Sequence, residues 1–433
     1  MTPQSNFMVV APLTENREGE LRSLLASMNV RTGVVNPQNA VLPFSQFGRL
    51  HFARLLILAD STLEDIRAYG VPPPPVGASL AFLGECDGEG GDFLADLAQR
   101  AGNGLRRIFS HCEGFAANGD LLQWMKDHSQ APAAMYVNWL GRTVEQIGEE
   151  SRLRNALADY LDKHSAALAA QSPRQIWEEL ASFVREEIQA RRLDLTPPRR
   201  TPLGWRLRNL IHRVGVPVLL LLLTPPLILY LPVFFYQLRR REINDPEILP
   251  KPDSSHVQRL ADLEDHDVTN QFSALGSVKP GRFRRWTVTF LVWILNYGAR
   301  HIFNRGYLTR VNTIHFARWV FLDDKRRLFF ASNYDGSLES YMDDFINKVA
   351  WGLNLVFSNG VGYPRTRWLI LDGAKDEQKF KRYIRRHQLP TEVWYNAHPG
   401  ITAFEMERNS RIREGIEKSF MRDQEIREWL RLI

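Results

Sequence analysis

The chain has 433 residues, of which 44% are hydrophobic and 24% charged, and its formal net charge is +6. This composition is typical of globular proteins and excludes a disordered, collagen-like or polytopic membrane chain, while the length suggests two or three domains. The two cysteines cannot build a disulfide framework or a four-cysteine zinc site, which indicates a reducing compartment. We expect no cleavable signal peptide, because Met1–Leu13 lacks a basic region followed by an apolar one.

Residues 1–148 are predicted to form a ferredoxin-like βαββαβ unit. Hydrophobic periodicity predicts two helices, from about Arg17 and from about Asp92, together with strands at Phe7–Leu13, His51–Leu58, Ser79–Gly84 and near Arg106–His111. A further helix and strand follow at Leu121–Lys126 and Met135–Trp139. Such a unit forms a four-stranded antiparallel sheet with both helices on one face, so the other face is apolar and uncovered.

Residues 149–213 are predicted to be a helical insert that ends in a basic helix on a membrane surface. Ser172 is expected to cap the second amphipathic helix of this insert, with Pro173 in its first turn. Near the end of the insert, apolar residues share one helical face and arginines lie elsewhere, a pattern typical of helices in an anionic headgroup layer. We expect no nucleic-acid partner, because no readout motif accompanies these arginines.

Residues 214–236 carry no charged side chain and are predicted to enter the membrane. As one straight helix they would reach about 34 Å, enough to cross a hydrocarbon core of about 30 Å. Pro225 and Pro226 at the midpoint make a re-entrant hairpin the alternative to a span. Arginines flank both ends equally, so charge does not choose between the two. A hairpin would keep the bulk of the chain on the cytoplasmic side, followed by a charged linker over residues 237–269.

Residues 270–410 are predicted to repeat the first unit. The string Leu50–Arg54 recurs as Ile314–Arg318, and matches continue downstream at a second offset. The apolar run Trp286–Tyr297 aligns with the first helix of the first unit and is shorter than the ~20 residues that a span needs. The fold class predicted is therefore α+β, in which the sheets of two tandem ferredoxin-like repeats pack face to face as an intrachain α+β barrel. Residues 411–433 are predicted to form a C-terminal helix.

The candidate catalytic residues are His315, Asp335, Arg318 and Asp87. The predicted hairpin register, in which paired residue numbers sum to 650, places His315 opposite Asp335, and a carboxylate raises the basicity of a neighbouring histidine. The same pair recurs as His51 and Asp87, and a repeated pair is also what a hydrogen bond that pins a hairpin would produce. The structural and catalytic interpretations both stay open. No histidine or cysteine lies at metal-ligand spacing, so no metal site is predicted.

With its two βαββαβ units, the chain resembles the dimeric α+β barrel superfamily, which includes dye-decolourising peroxidases and chlorite dismutases. Gly84–Gly88 fits the GxxDG motif of dye-decolourising peroxidases, whose aspartate, Asp87 here, acts on the distal side of a haem. Haem is therefore the cofactor that the resemblance implies, with no residue assigned to hold it. The whole chain is also similar to bacterial membrane-associated proteins of unassigned function that share the HFAR and NYDG strings.

Three functions follow as expectations. The first is a membrane-anchored, haem-dependent, peroxidase-like oxidoreductase acting on an apolar or lipid-derived substrate. The second is a non-catalytic module that binds lipid or a membrane protein, and the third is a cofactor-free enzyme that uses His315. The partners expected are a bilayer with anionic headgroups and an apolar small molecule.

Overall fold

The computed structural model describes residues 1–303 and 311–433, and its fold is α+β, with about 50% helix and 19% strand. The strands, in chain order, are β1 (Gln4–Pro12), β2 (Asn29–Arg31), β3 (Val34–Val35), β4 (Leu50–Leu58), β5 (Ser79–Asp87), β6 (Ala134–Val137), β7 (Thr269–Ser277), β8 (Ile314–Leu322), β9 (Arg327–Asp335), β10 (Thr366–Arg367), β11 (Leu371–Asp372) and β12 (Thr391–Asn396). The helices are α1 (Glu18–Ala26), α2 (Gly90–Arg100), α3 (Gly102–Phe109), α4 (Leu121–Asp127), α5 (Val144–Leu168), α6 (Pro173–Gln189), α7 (Leu203–Asn244), α8 (Ser254–Ala261), α9 (Arg282–His301), α10 (Leu338–Phe357), α11 (Glu377–His387), α12 (Ala403–Ile416) and α13 (Asp423–Leu430).

Two four-stranded antiparallel sheets contain strands from both halves of the chain. The first has the order β1-β5-β4-β12 and the second the order β6-β8-β9-β7. Strand β12 from the C-terminal half therefore completes the N-terminal sheet, and β6 from the N-terminal half completes the other one. The sequence predicts that all four strands of a sheet come from the same ferredoxin-like unit, and this prediction is wrong for β6 and β12. Sequence pattern identifies a strand and its faces, but the backbone groups on a sheet edge accept any strand.

The predicted strand near Arg106–His111 is wrong, because α3 occupies Gly102–Phe109. Its buried side chains, Leu105, Ile108 and Phe109, follow the spacing of a helix rather than the alternation of a strand.

The inner faces of the two sheets meet in an apolar layer. Along β1, Phe7 and Val9 point to the helices behind the first sheet, whereas Met8 points to the other sheet, as strand alternation requires. The inter-sheet layer consists of Met8, Leu56, Leu58, Ala81, Leu83, Leu275, Val320, Leu322, Phe329, Ala331 and Leu389. A separate cluster joins α5 and α6 to α12 and α13. The C-terminal segment predicted as one helix therefore contains the end of α12 and all of α13, while Ser172 caps α6 as predicted.

Arg54 crosses the inter-sheet layer from β4. It is 1% exposed, and its guanidinium donates to the main-chain oxygens of Phe272 at 2.8 Å and Ser332 at 3.1 Å, as well as to the side chain of Asn333. The ring of Trp394, on the exchanged strand β12, lies 5.0 Å from the guanidinium carbon. Burial lowers the pKa of Arg54 to about 10, so the side chain stays charged at neutral pH.

Arg318 makes the matching contacts in the opposite direction, from β8. Its guanidinium donates to the main-chain oxygens of Phe7 and Gly84, both at 2.8 Å, and to the carboxylate of Glu85. Glu85 also accepts a hydrogen bond of 3.2 Å from Asn333. Glu85 thus binds Arg318 directly and is connected to Arg54 through the side-chain amide of Asn333.

Helix α7 is continuous from Leu203 to Asn244 although it contains four prolines. The re-entrant hairpin is therefore wrong: the predicted basic helix, the membrane segment and the start of the linker form one helix. A proline removes one main-chain donor, but apolar helices tolerate this where neighbouring groups satisfy the freed oxygens. Among the described residues, α7 is the one helix long and apolar enough to span or anchor in a membrane.

We predict that Glu85→Gln destabilises the fold strongly without changing its shape. The substitution leaves two buried guanidiniums without a carboxylate, which should cost about 3–5 kcal/mol of unfolding free energy. Chemical denaturation in mild detergent measures the change. The control is Glu64→Gln, which removes an exposed ion pair with Arg67 and should have little effect. Equal effects of the two substitutions would contradict the role given to Glu85.

Candidate functional site

The structure brings three of the four predicted site residues into two histidine–aspartate pairs. His315 Nε2 lies 2.6 Å from Asp335 Oδ1, and His51 Nε2 lies 3.0 Å from Asp87 Oδ1. The predicted register was off by one, because Leu322 pairs with Arg327. A bulge between Ile314 and Phe316 shifts the pairing by one more residue, and the side chains of His315 and Asp335 meet although the two residues are not directly paired.

Each aspartate also holds the start of a helix. The second carboxylate oxygen of Asp87 accepts from the amide of Val144 at 3.0 Å, and that of Asp335 accepts from the amide of Ala403 at 2.7 Å. These amides open α5 and α12, where a carboxylate is favourable because the helix dipole is positive. Both oxygens of each aspartate are thus engaged in the same way in the two pairs. This repetition favours the structural interpretation.

His398 makes the two pairs unequal. Its Nε2 lies 3.1 Å from His51 Nδ1, so a hydrogen bond connects the two rings. Burial, together with the nearby His51 and His315, holds the pKa of His398 well below its usual range. Sequence reasoning left His398 without a role. Val144 and Ala403 occupy equivalent positions in the two units, 259 residues apart. At the same spacing His398 is equivalent to Trp139, and this difference between the units is the sequence signal that distinguishes His398.

There is little free space beside these histidines. The cavity bordered by His51, His315 and His398 has a volume of about 10 Å³, which holds a single water molecule at most. The stacked rings of Phe52 and Trp394, 5.4 Å apart, lie next to it. The pairs can fix tautomers and orient strands and helices, but the cavity does not admit an organic substrate.

Arg318, the fourth predicted site residue, is directed away from the histidines. Its guanidinium binds the opposite sheet as described above, and the residue is 1% exposed. It therefore belongs to the inter-sheet layer. Among the described residues, no group of three or more histidines, cysteines or carboxylates is arranged to hold a metal ion.

A further buried histidine, His387, tests whether a haem fits. His387, behind the second sheet, donates Nδ1–H to the oxygen of Tyr383 at 2.9 Å, and its Nε2 has no hydrogen-bond partner among the described residues. It borders an apolar cavity of about 70 Å³ that also contacts Trp319 and Met342. Pockets for cofactors measure roughly 300–1,000 Å³. A haem fits neither this cavity nor the smaller one beside Asp87, whose oxygens are both engaged.

No family model matches the chain, and neither a curated protein nor a solved structure is significantly similar to it. The resemblance to the dimeric α+β barrel superfamily therefore stays a prediction. The remaining candidate for a functional region is the exposed surface of the molecule.

Helix α7 exposes a long run of apolar side chains. Every residue from 221 to 233 is exposed, and Leu221, Leu222 and Leu229 are 70–80% exposed. Beside it, Trp286 on α9 and Trp351 on α10 are also exposed. A groove of about 260 Å³ runs between α9 and α10 and is lined by apolar side chains, among them Leu291, Leu295, Trp351 and Leu355. We refer to α7, the outer sides of α9 and α10 and this groove together as the apolar face.

Both ends of the exposed segment of α7 contact α9. At the first end, Tyr297 of α9 donates its hydroxyl to the oxygen of Arg213 at 3.2 Å. At the second end, the rings of Phe234 and Phe283 lie 5.4 Å apart. Tyr297 lies near the end of α9 and Phe283 near its start, so α7 runs antiparallel to α9 between these two contacts.

The C-terminal anchor of α7 is polar and buried. The carboxylate of Glu242 accepts from the hydroxyl of Thr366 at 3.0 Å and from the amides of Trp368 and Leu369, both at 2.9 Å. One turn on, Asp245 binds Lys279 at 2.7 Å. These contacts hold the end of α7 against the body of the protein.

We predict that His51→Ala and His315→Ala destabilise the protein by comparable amounts. Each removes a hydrogen bond to a buried carboxylate, which should cost about 1.5–3 kcal/mol. Thermal unfolding followed by circular dichroism measures the two losses. A catalytic second pair would instead show an asymmetry: His315→Ala would abolish ligand binding or turnover with little loss of stability, and His51→Ala would only destabilise.

Proposed function

We propose that the protein is a non-catalytic, membrane-bound module that binds lipid through its apolar face. The observation that carries this proposal is the exposure of α7 over more than three helical turns of large apolar side chains. Burying one such side chain stabilises by about 1.5–3 kcal/mol, and soluble monomers rarely expose a continuous patch beyond a few hundred Å². A bilayer is the partner that covers a surface of this kind.

The two anchors of α7 support an orientation along the membrane surface. If α7 crossed the bilayer perpendicularly, α9 would have to lie within the bilayer as well. Val288 and Val292 of α9 pack on the second sheet, so the sheet would follow. With α7 parallel to the surface, its apolar side enters the acyl region and the arginines at both ends reach the headgroups. Both sheets then lie on one side of the membrane, which we propose is the cytoplasmic side.

The proposed architecture is a duplicated ferredoxin-like unit whose last strands are exchanged within an α+β barrel. Support comes from contacts that occur twice: the histidine–aspartate pairs, the aspartate–helix contacts and the crossing arginines. On this view the inter-sheet region serves stability, because its polar groups bind each other. Lipid binding belongs to the helices outside the second sheet, where the groove between α9 and α10 can take an acyl chain.

The peroxidase-like alternative has one observation in its favour, the unpartnered Nε2 of the buried His387. We predict that protein purified from haem-fed cells shows no Soret band, because the adjoining cavity is too small for the cofactor. An absorption spectrum of the protein in detergent decides this. A Soret band that disappears in His387→Ala would replace the proposed function with the alternative.

We predict that the protein floats with neutral phosphatidylcholine vesicles in a density gradient. The triple substitution of Leu221, Leu222 and Leu229 by serine should abolish flotation while preserving the circular dichroism spectrum, because these side chains are exposed. The control is Val30→Ser, an exposed apolar residue on β2, far from α7 in sequence.

Topology is tested in a separate experiment. In cells, tags at both termini should be equally accessible to protease from the cytoplasmic side. Protection of one tag alone would show that α7 crosses the bilayer, and a wild-type chain that stays at the bottom of the gradient would refute membrane binding.

A further inference from the structure

A cleft beside the start of α7 has no role in the function proposed above. It lies where β1 and β6 meet the first turns of α7 and the last turn of α9, and its volume is about 340 Å³. Small-molecule pockets measure roughly 300–1,000 Å³. Polar and aromatic side chains on its walls include Asn6, Glu89, Trp205, Arg208, Asn296 and Arg300. We call it the α7 cleft.

The charged side chains that line the α7 cleft have a positive excess. Arg208 and Arg300 face Glu89, and Glu89 is bound to Arg208. Arg300 uses its Nε to donate to Asn209 at 3.1 Å, and the described residues supply no acceptor for its two terminal nitrogens. Burial and the neighbouring charge of Arg208 lower the pKa of Arg300. An anion in the cleft would relieve this repulsion and accept the free donors of Arg300.

A second feature of the wall agrees with an anionic ligand. Helix α2 begins at Gly90, next to Gly88 and Glu89 in the cleft wall, and in the part of the chain that the structure describes its first turn has no side-chain cap, since Glu89 binds Arg208 instead. The amides of such a turn carry partial positive charge. The corresponding helix of the second sheet, α10, is capped by Ser337.

We propose that the α7 cleft binds the phosphate ester of an anionic lipid headgroup, with Arg300 and Arg208 as its hydrogen-bond donors. A guanidinium presents two parallel donors that match two phosphate oxygens, which makes arginine well suited to this chemistry. The headgroup as the source of the phosphate rests on the proposed function, because α7 places the cleft at the depth of the headgroups. Glu89 opposes the ligand, so its charge sets the affinity.

Calorimetric titration of the full-length protein in neutral detergent with sn-glycerol 3-phosphate tests the phosphate site without a membrane. We expect saturable binding that weakens about tenfold or more in Arg300→Gln and tightens in Glu89→Gln, because the carboxylate that repels phosphate is gone. Arg206→Gln is the control: Arg206 is exposed on α7, on the same helix as Arg208, but does not line the cleft. Equal effects of Arg206→Gln and Arg300→Gln would overturn the proposal, since they would show attraction to a generally basic surface.

Arg300 is half-buried, so a second variant keeps the test independent of its folding. Asn296→Asp adds a negative charge to the cleft wall and should also weaken binding of glycerol 3-phosphate. All titrations are made at one ionic strength, because salt screens exposed charges. Unchanged affinity in both Asn296→Asp and Glu89→Gln would refute the site even if Arg300→Gln does not fold.

Vesicle flotation separates the two sources of the phosphate. A headgroup site predicts tighter binding to vesicles containing phosphatidylglycerol than to pure phosphatidylcholine, and Arg300→Gln should remove this preference while Arg206→Gln keeps most of it. Flotation with phosphatidylcholine but no binding of glycerol 3-phosphate and no preference would overturn the phosphate site and leave the proposed function standing. Binding of glycerol 3-phosphate without flotation would show a site for a soluble phosphate ester and overturn the membrane function.

Discussion

Two buried guanidiniums that reach in opposite directions between the sheets are the interaction on which this fold depends. Arg54 and Arg318 each leave a central strand of one sheet and bind main-chain oxygens of the other. A charge in this position is costly unless every donor finds an acceptor, so the sheets must keep one separation and one register. An apolar layer alone would allow the sheets to slide, because contacts between aliphatic side chains are not directional.

The exchanged strands complete this arrangement. Strand β12 places Trp394 over the guanidinium of Arg54, and the histidine–aspartate pairs sit where α5 and α12 begin, directly after the exchanged strands. The polar groups of the interior therefore form a connected structural network with little room for a ligand. The available space lies outside the second sheet, where α7 and α9 provide an apolar face, a groove and a basic cleft. Stability and binding are thus assigned to different layers of the molecule.

The residues predicted to form a catalytic site take part in structural contacts. A histidine opposite an aspartate suggested a general base, and the structure does bring the two together. It also shows the feature that the pattern left out: the second carboxylate oxygen is used by a helix amide, in both pairs. His398 escaped notice because its partner His51 is 347 residues away in the sequence. Arg318 was predicted as a site residue, whereas its guanidinium binds the opposite sheet.

The sequence by itself determined the α+β class, the exposed apolar character of α7, the cap at Ser172 and the contact between His315 and Asp335, because periodicity, capping and hairpin pairing are local properties of the chain. Tertiary structure decided the exchange of β6 and β12, since main-chain hydrogen bonds on a sheet edge carry no residue identity. It also decided that α7 continues as one helix through its prolines, because both ends of its exposed segment contact α9. The α7 cleft exists for the same reason: Glu89, Arg208 and Arg300 meet through packing between elements that no sequence period relates.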